Sequence, residues 1–419
     1  MTYQLSRFGN KFSGSSGIVD LMDDLGSALQ ENPDMLMLGG GTPARVTEAE
    51  AIYAGHLQAL LQDSDSTYAL LGRYQGPLGD DEVRELLAEL LNREYGWQLT
   101  RDNIAVTNGG QSAFGILANM LAGDMPDGSF KRMHFPVLPE YLGYTDAGFH
   151  EDFFSATKPA IELLPNRRFK YHVNFDELVL DASIGALCLS RPTNPSGNVL
   201  TMDELAELDK RARAQNIPLI IDAAYGLPFP GLHFADSGAY WSDNVILMLS
   251  LSKLGLPGLR SGFLIADTDF IQSFSRANTI LNLASGNVGP TLAADLIRNG
   301  DMLRVSRDIL KPWYQTKALL AEALLLKALA DIPCHMHVAD GAFFLWLWFP
   351  DLPVTTAELY QQLKAAGVLI IPGDTAFPGL QEDWQHSREC IRISFAVEEE
   401  CLRQAAQIIG KVLKQIYQI

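Results

Sequence analysis

Between residues 100 and 265, short apolar runs alternate with stretches of helical periodicity, and each run ends on a polar or glycine-rich turn. Residues 103–107 lead into Asn108-Gly109-Gly110-Gln111-Ser112 and the helical 113–121. Residues 185–190, 217–221 and 245–251 are further runs of the same kind, and 132–136 reads as a second short strand. Runs of this length without polar alternation read as strands buried on both faces, the mark of parallel sheets. The pattern predicts an α/β unit with a mostly parallel sheet. Ligands of such sheets sit beyond the carboxyl ends of the strands, so the residues just past each run are the ones to examine.

Lys253 follows the run 245–251, and no Lys or Arg occurs from 214 to 252. A lysine in that position is partly desolvated, which lowers its pKa towards the neutral amine that Schiff-base chemistry requires. Ser250, Ser252 and Arg260 lie close by, a donor set that suits a phosphate. Gly110 and Gln111 open a helix after a glycine turn, where free N–H groups can hold an anion. Asp222 ends a wholly apolar run and is costly there unless paired; a protonated heterocyclic nitrogen would pair it. Tyr225, three residues on, can reach the same ligand. Asn194 stands among Pro192 and Pro195, which restrict the backbone around it. Tyr141 follows the run 132–136 and can cover a planar ring. Each residue has a plainer reading: a snorkelling lysine, a turn-capping aspartate, a packing tyrosine. Their shared position past strand ends favours one site.

Elsewhere, a helix is expected over 18–30, and 35–38 is a short apolar run ending in Gly39-Gly40-Gly41, either a turn or a ligand-facing loop. Arg73-Tyr74-Gln75-Gly76 leads into a helix over 80–93 with an acidic start. From about residue 310 the pattern changes. A long helix over 313–330 precedes strand-like 341–349 and 367–372 with a helix between them. Residues 391–395 then alternate, placing Arg392 and Ser394 on one face. A second, smaller α+β domain is expected. The division is a large domain over 50–310 and a small one from 1–49 and 311–419. With 47% hydrophobic residues the core is ample, and a net charge of −18 disfavours nucleic acid and anionic membranes as partners. Cys188, Cys334, Cys390 and Cys401 are too scattered for a zinc site or disulfide framework, and no metal is expected. No apolar leader or membrane-length run occurs, so a cytoplasmic protein is expected.

Three features together, Asn194-Pro195-Ser196-Gly197, Asp222-x-x-Tyr225 and Ser250-x-Ser252-Lys253 with Arg260, resemble the fold-type I pyridoxal-phosphate aminotransferases. Order and spacing match too, with 28 residues from Asn194 to Asp222 and 31 from Asp222 to Lys253. The resemblance runs from about residue 39 to the end of the chain. It implies the aspartate aminotransferase-like fold, pyridoxal 5′-phosphate as cofactor, and a homodimer. Lys253 would bond to the cofactor and move the substrate proton, and Asp222 would hold the ring nitrogen protonated. Asn194 and Tyr225 would bond the ring oxygen and Tyr141 would stack on the ring. Gly110, Gln111, Ser250, Ser252 and Arg260 would hold the phosphate, joined by Tyr74 from the neighbouring subunit. Arg392 would take the substrate carboxylate, with Gly40 and Asn194 beside it. Longer stretches, such as Leu38-Gly39-Gly40-Gly41-Thr42-Pro43-Ala44 and Phe344-Leu345-Trp346-Leu347-Trp348-Phe349, imply L-valine and pyruvate as substrates, giving 3-methyl-2-oxobutanoate and L-alanine. The rivals are an aminotransferase for aromatic or 2-aminoadipate-like substrates, a β-lyase, and a non-catalytic regulatory relative. Arg260 follows Lys253 by seven residues where many relatives have eight, a departure that bears on subgroup only.

Overall fold

The computed structural model describes residues 3–14 and 16–419; the first two residues and Ser15 of the expected N-terminal segment lie outside them. The central sheet runs in the order Ile104–Thr107, Gly262–Ile265, Val245–Ser250, Leu219–Asp222, Ile184–Ser190, Phe130–Phe135, with Gly123–Asp124 and Phe154–Ala156 along the far edge. Gly262–Ile265 and Gly123–Asp124 run against their neighbours and the other pairings described are parallel, as expected. Every residue of Ile184–Ser190 and Val245–Ser250 is buried, which is why these runs carry no polar alternation. The antiparallel Gly262–Ile265 lies between Ile104–Thr107 and Val245–Ser250 and was not anticipated.

Local chemistry sets the helix ends. Asp80 accepts from the Val83 N–H at the start of Asp81–Tyr95, and Gly96, at φ 71°, closes that helix. Thr201 and Glu204 form a reciprocal capping box at the start of Met202–Ala214. Helix Gly110–Leu121 packs its buried Phe114 and Leu117 into the core.

A second sheet holds Ile371–Pro372, Cys390–Ser394, Phe344–Trp348 and His335–His337, as the change of pattern after residue 310 suggests. It also contains a hairpin that was missed, Ala160–Leu164 with Arg168–His172, which pairs in parallel with His335–His337. By hydrogen bonding this hairpin, which lies within the span expected for the large domain, joins the C-terminal strands. Its turn places Asn166 and Arg167 at φ 61° and 60°. Left-handed backbone at a non-glycine costs on the order of 1 kcal/mol or more. Arg167 offsets this by donating to the carbonyls of Leu329, Ile332 and Cys334 beyond helix Lys311–Ala328.

The N-terminal helix Gly17–Glu31 lies against the C-terminal part of the chain. Asp24 accepts from the Tyr360 hydroxyl at 2.5 Å and pairs with Lys364 at 2.6 Å. Leu25 and Ala28 are buried beneath it. Leu36–Met37 pairs with Val368–Leu369, which brings the glycine loop that follows to the same region. Among the described residues no helix is long and apolar enough to cross a membrane.

Gly185 shows how closely helix and sheet approach. A Cβ there would lie 2.0 Å from the Leu121 carbonyl oxygen. Gly185→Ala should lower stability by about 1–3 kcal/mol, the usual cost of overpacking a core. Urea unfolding checks this, and an unchanged midpoint would mean that helix and strand are not in such contact.

Candidate active site

The register of the central sheet puts several strand ends along one edge. Ser190 pairs with Asp222, Asp222 with Met248, and Ser250 with Gly262, which pairs in turn with Thr107. The cavity beyond this edge is lined by Gly110, Gln111, Tyr141, Asn194, Asp222, Tyr225, Ser250, Ser252, Lys253, Arg260 and Arg392. Eleven of the thirteen residues singled out in the sequence are thus brought together. Gly40 and Tyr74 are not: Gly41 takes the lining position beside Gly40, and Tyr74 stands 81% exposed elsewhere.

Lys253 follows the strand that begins at Val245, and it lines the cavity. Its Nζ donates to the Gly41 carbonyl at 2.7 Å and lies 5.5 Å from the centre of the Tyr225 ring. Burial pushes its pKa down to about 8, and the Arg392 cation adds to the effect, while Asp222 opposes it. Lys253 therefore gives up its proton far more readily than an exposed lysine does.

Arg392 sits mid-strand in Cys390–Ser394, opposite Trp346 and Ile371, and is buried rather than an exposed strand arginine. Its Nη1 donates to Asn194 Oδ1 and its Nη2 to the Gly39 carbonyl, both at 2.7 Å, and Phe344 lies 4.2 Å below. Its Nε is buried without a partner, and among the described residues no carboxylate pairs with it. A buried cation held only by neutral oxygens is prepared for an incoming anion.

At the other end of the cavity, Gly109 turns at φ 87° into helix Gly110–Leu121. A Cβ on Gly109 would come within 2.8 Å of the Arg260 guanidinium, so a glycine is what lets Arg260 lie against the helix start. The first N–H groups of the helix, the Ser250 and Ser252 hydroxyls and Arg260 make an anion cradle. On the cavity floor, Asp222 Oδ1 accepts from the Ala224 N–H at 2.8 Å and Oδ2 from the Tyr144 hydroxyl at 2.5 Å. Burial raises the Asp222 pKa, against the pull of these two donors and of Lys253.

Two clusters of anion-binding groups, an amine of lowered pKa and a buried carboxylate thus share one cavity. A family model described as aminotransferase class I and II matches residues 161–409. The Escherichia coli (strain K12) protein named valine–pyruvate aminotransferase is 44% identical over 417 residues, spanning 100% of this chain and 99% of that one. The chain is a class I and II aminotransferase.

Two solved structures share its fold. The putative amino-acid aminotransferase of Psychrobacter arcticum 273-4 is 42% identical, with a TM-score of 0.97 over 100% of both chains. The valine–pyruvate aminotransferase of Salmonella typhimurium LT2 is also 42% identical, with a TM-score of 0.89 over 96% of this chain and 100% of that one. The aminotransferase therefore has the aspartate aminotransferase-like fold expected from its motifs.

Sequence reasoning missed several cavity residues of the aminotransferase. Tyr144, Ser190, Leu21, Met22 and Ile371 line the cavity as well. Ser190 ends a strand as Asp222 does and could have been found by the same rule. Glu140, fully buried, accepts from the Ser190 N–H at 2.6 Å, the Ser190 hydroxyl and the Tyr141 N–H at 3.0 Å. Burial pushes its pKa up to about 8.

The amine of Lys253 can be titrated directly. Carbamylation by cyanate, followed peptide by peptide in cofactor-free protein, should rise through a midpoint of about 8. Arg392→Leu should move that midpoint upward, because removing a nearby cation favours the charged ammonium. A wild-type midpoint in the ordinary lysine range would contradict the burial of this amine.

Proposed function

We propose that this enzyme transfers the amino group of L-valine to pyruvate, giving 3-methyl-2-oxobutanoate and L-alanine, with pyridoxal 5′-phosphate as cofactor. One observation carries the reading: Lys253, with its lowered pKa, faces the same cavity as a buried Arg392 that has no carboxylate partner among the described residues. A 2-amino or 2-oxo acid fits between them, carboxylate on the guanidinium and Cα beside the amine. The full-length similarity to the E. coli relative supports the substrate pair.

The residues fit the cofactor. The cradle at Gly110, Gln111, Ser250, Ser252 and Arg260 suits its phosphate, and the fixed Asp222 carboxylate suits a protonated ring nitrogen. Bound there, the cofactor supplies an electron sink for the pair left when Cα loses its proton. The protein does the rest. Arg392 clamps the substrate carboxylate with a planar fork that Asn194 Oδ1 and the Gly39 carbonyl hold in place. That fixes which Cα bond faces Lys253. Lys253 takes the Cα proton as general base and returns it to Cα in the reverse half-reaction. Tyr225 and Asn194, which line the same cavity, would bond the ring oxygen, and Tyr141 would stack on the ring. Leu21, Met22 and Ile371 supply an apolar wall for a branched side chain. Such a wall separates neighbouring aliphatic side chains by only about 1–3 kcal/mol, so other small amino acids react too. Each half-reaction uses this one site, so the kinetics are ping-pong. Gly40 belongs to the substrate loop through its backbone. Tyr74, exposed on one subunit, is assigned to the phosphate of a neighbouring subunit, which makes a homodimer part of the proposal. A cytoplasmic location belongs to it as well.

With cofactor bound, L-valine alone should bleach the visible absorbance band, and pyruvate should restore it. A band that valine leaves unchanged while an aromatic or 2-aminoadipate-like amino acid bleaches it would replace the substrate. Arg392→Lys, which keeps the charge and loses the fork, should lower kcat/KM for valine about a hundredfold in steady-state assays. Unchanged kcat/KM would remove Arg392 from the carboxylate site.

A further inference from the structure

Asp222 does not meet the cavity alone. The turn Leu142–Tyr144 brings Tyr144 under the floor, where it is almost wholly buried. Its ring stacks on Phe114 at 3.9 Å and 29°, and lies parallel to Phe135 at 6.1 Å and 9°. The Tyr141 ring meets it edge-on at 5.2 Å and 85°. Three aromatic neighbours thus fix the ring, and its hydroxyl has one partner, Asp222 Oδ2, at 2.5 Å. Asp222 is itself fixed by its register with Ser190 and Met248 and by the Ala224 N–H on Oδ1. The orientation of this carboxylate is therefore set before any ligand arrives. Nothing in the general reaction requires a tyrosine here.

We propose that Tyr144 is a positioning residue that acts through Asp222, its hydroxyl holding the carboxylate ionised and oriented for the ring nitrogen of the cofactor. The inference rests on the cofactor assignment made above. A buried carboxylate needs hydrogen-bond donors to stay charged. Of the charged or titratable groups around it, Lys253 favours ionisation and the buried Glu140 opposes it, so the Tyr144 donor matters to the balance. Without that donor the carboxyl is left with the Ala224 N–H and takes up a proton of its own. A protonated ring nitrogen must then displace that proton in order to bind.

The test compares two ligands on full-length protein stripped of cofactor: pyridoxal phosphate, and an analogue with carbon in place of the ring nitrogen. Tyr144→Phe keeps the ring and its three aromatic contacts. Hydrogen bonds to charged groups are worth enough to expect about a tenfold loss of pyridoxal phosphate affinity by fluorescence titration. Affinity for the analogue should not change. In an Asp222→Asn background, Tyr144→Phe should have no further effect on either ligand. Equal losses for the two ligands would show a packing role and overturn the inference. So would an unchanged affinity for pyridoxal phosphate, or a loss that persists without Asp222. Tyr144→His, which retains an N–H donor, carries the same comparison if the phenylalanine variant does not fold. It should keep the preference for the nitrogen-containing ring, and loss of that preference would count against the hydroxyl's role as donor. A wild-type protein that binds neither ligand would overturn the cofactor reading itself, a result distinct from failure of the Tyr144 inference.

Discussion

The site depends on one constraint: parallel strands that are buried on both faces must shed their polar groups at their ends. Ile184–Ser190, Leu219–Asp222 and Val245–Ser250 are in register, so their polar ends fall along one edge. Ser190, Asp222, Ser250 and, just beyond, Asn194 and Lys253 meet there because the strands end along the same edge of the sheet, Val245–Ser250 reaching two residues past Asp222. A shift of one residue in any of these strands would turn its last side chain towards the opposite face of the sheet. Apolar packing within the sheet thus sets the geometry of the polar groups outside it.

The electrostatics follow from that arrangement. The protein carries a net charge of −18, yet Lys253, Arg260 and Arg392 surround one cavity with Asp222 as the acidic group on its floor. The surplus of positive charge is local and is kept from neutralisation by neutral partners, the Asn194 amide and the carbonyls of Gly39 and Gly41. Those partners take hydrogen bonds from Lys253 Nζ and from both terminal nitrogens of Arg392 without cancelling their charge, while Arg392 Nε stays unpaired. Two anionic groups can then be drawn in from water, one to each end of the cavity.

Much of this was legible in the sequence because it obeys local rules. Lys253, Asp222 and Asn194 announce themselves as polar residues following apolar runs, and Gly110 and Gln111 as a helix start after glycines. Arg392 was readable through the alternation of its strand. What escaped depends on tertiary path. Tyr144 reaches Asp222 only because a single 3-10 turn folds back beneath the sheet, and such a turn has no periodicity. Leu21 and Met22 belong to a helix whose seat is set by the bonds from Tyr360 and Lys364 to Asp24, more than 300 positions away along the chain. The hairpin Ala160–Leu164 with Arg168–His172 escaped for a different reason. An arginine occupies a left-handed turn position that usually signals itself with glycine or asparagine, and its compensation comes from distant carbonyls.

That hairpin ties the molecule together. Strands Ala160–Leu164 and Arg168–His172 leave the chain between two strands of the central sheet, cross to the second sheet and extend it past His335–His337. The guanidinium of Arg167 then grips the end of helix Lys311–Ala328 from the far side. Neither lobe is a contiguous piece of the polypeptide. A cut near residue 310 would strand two of the six strands of one sheet on the wrong fragment and expose the edge of His335–His337 as a sticky surface. The strand His335–His337 therefore completes its pairing only on a hairpin laid down far earlier in the chain.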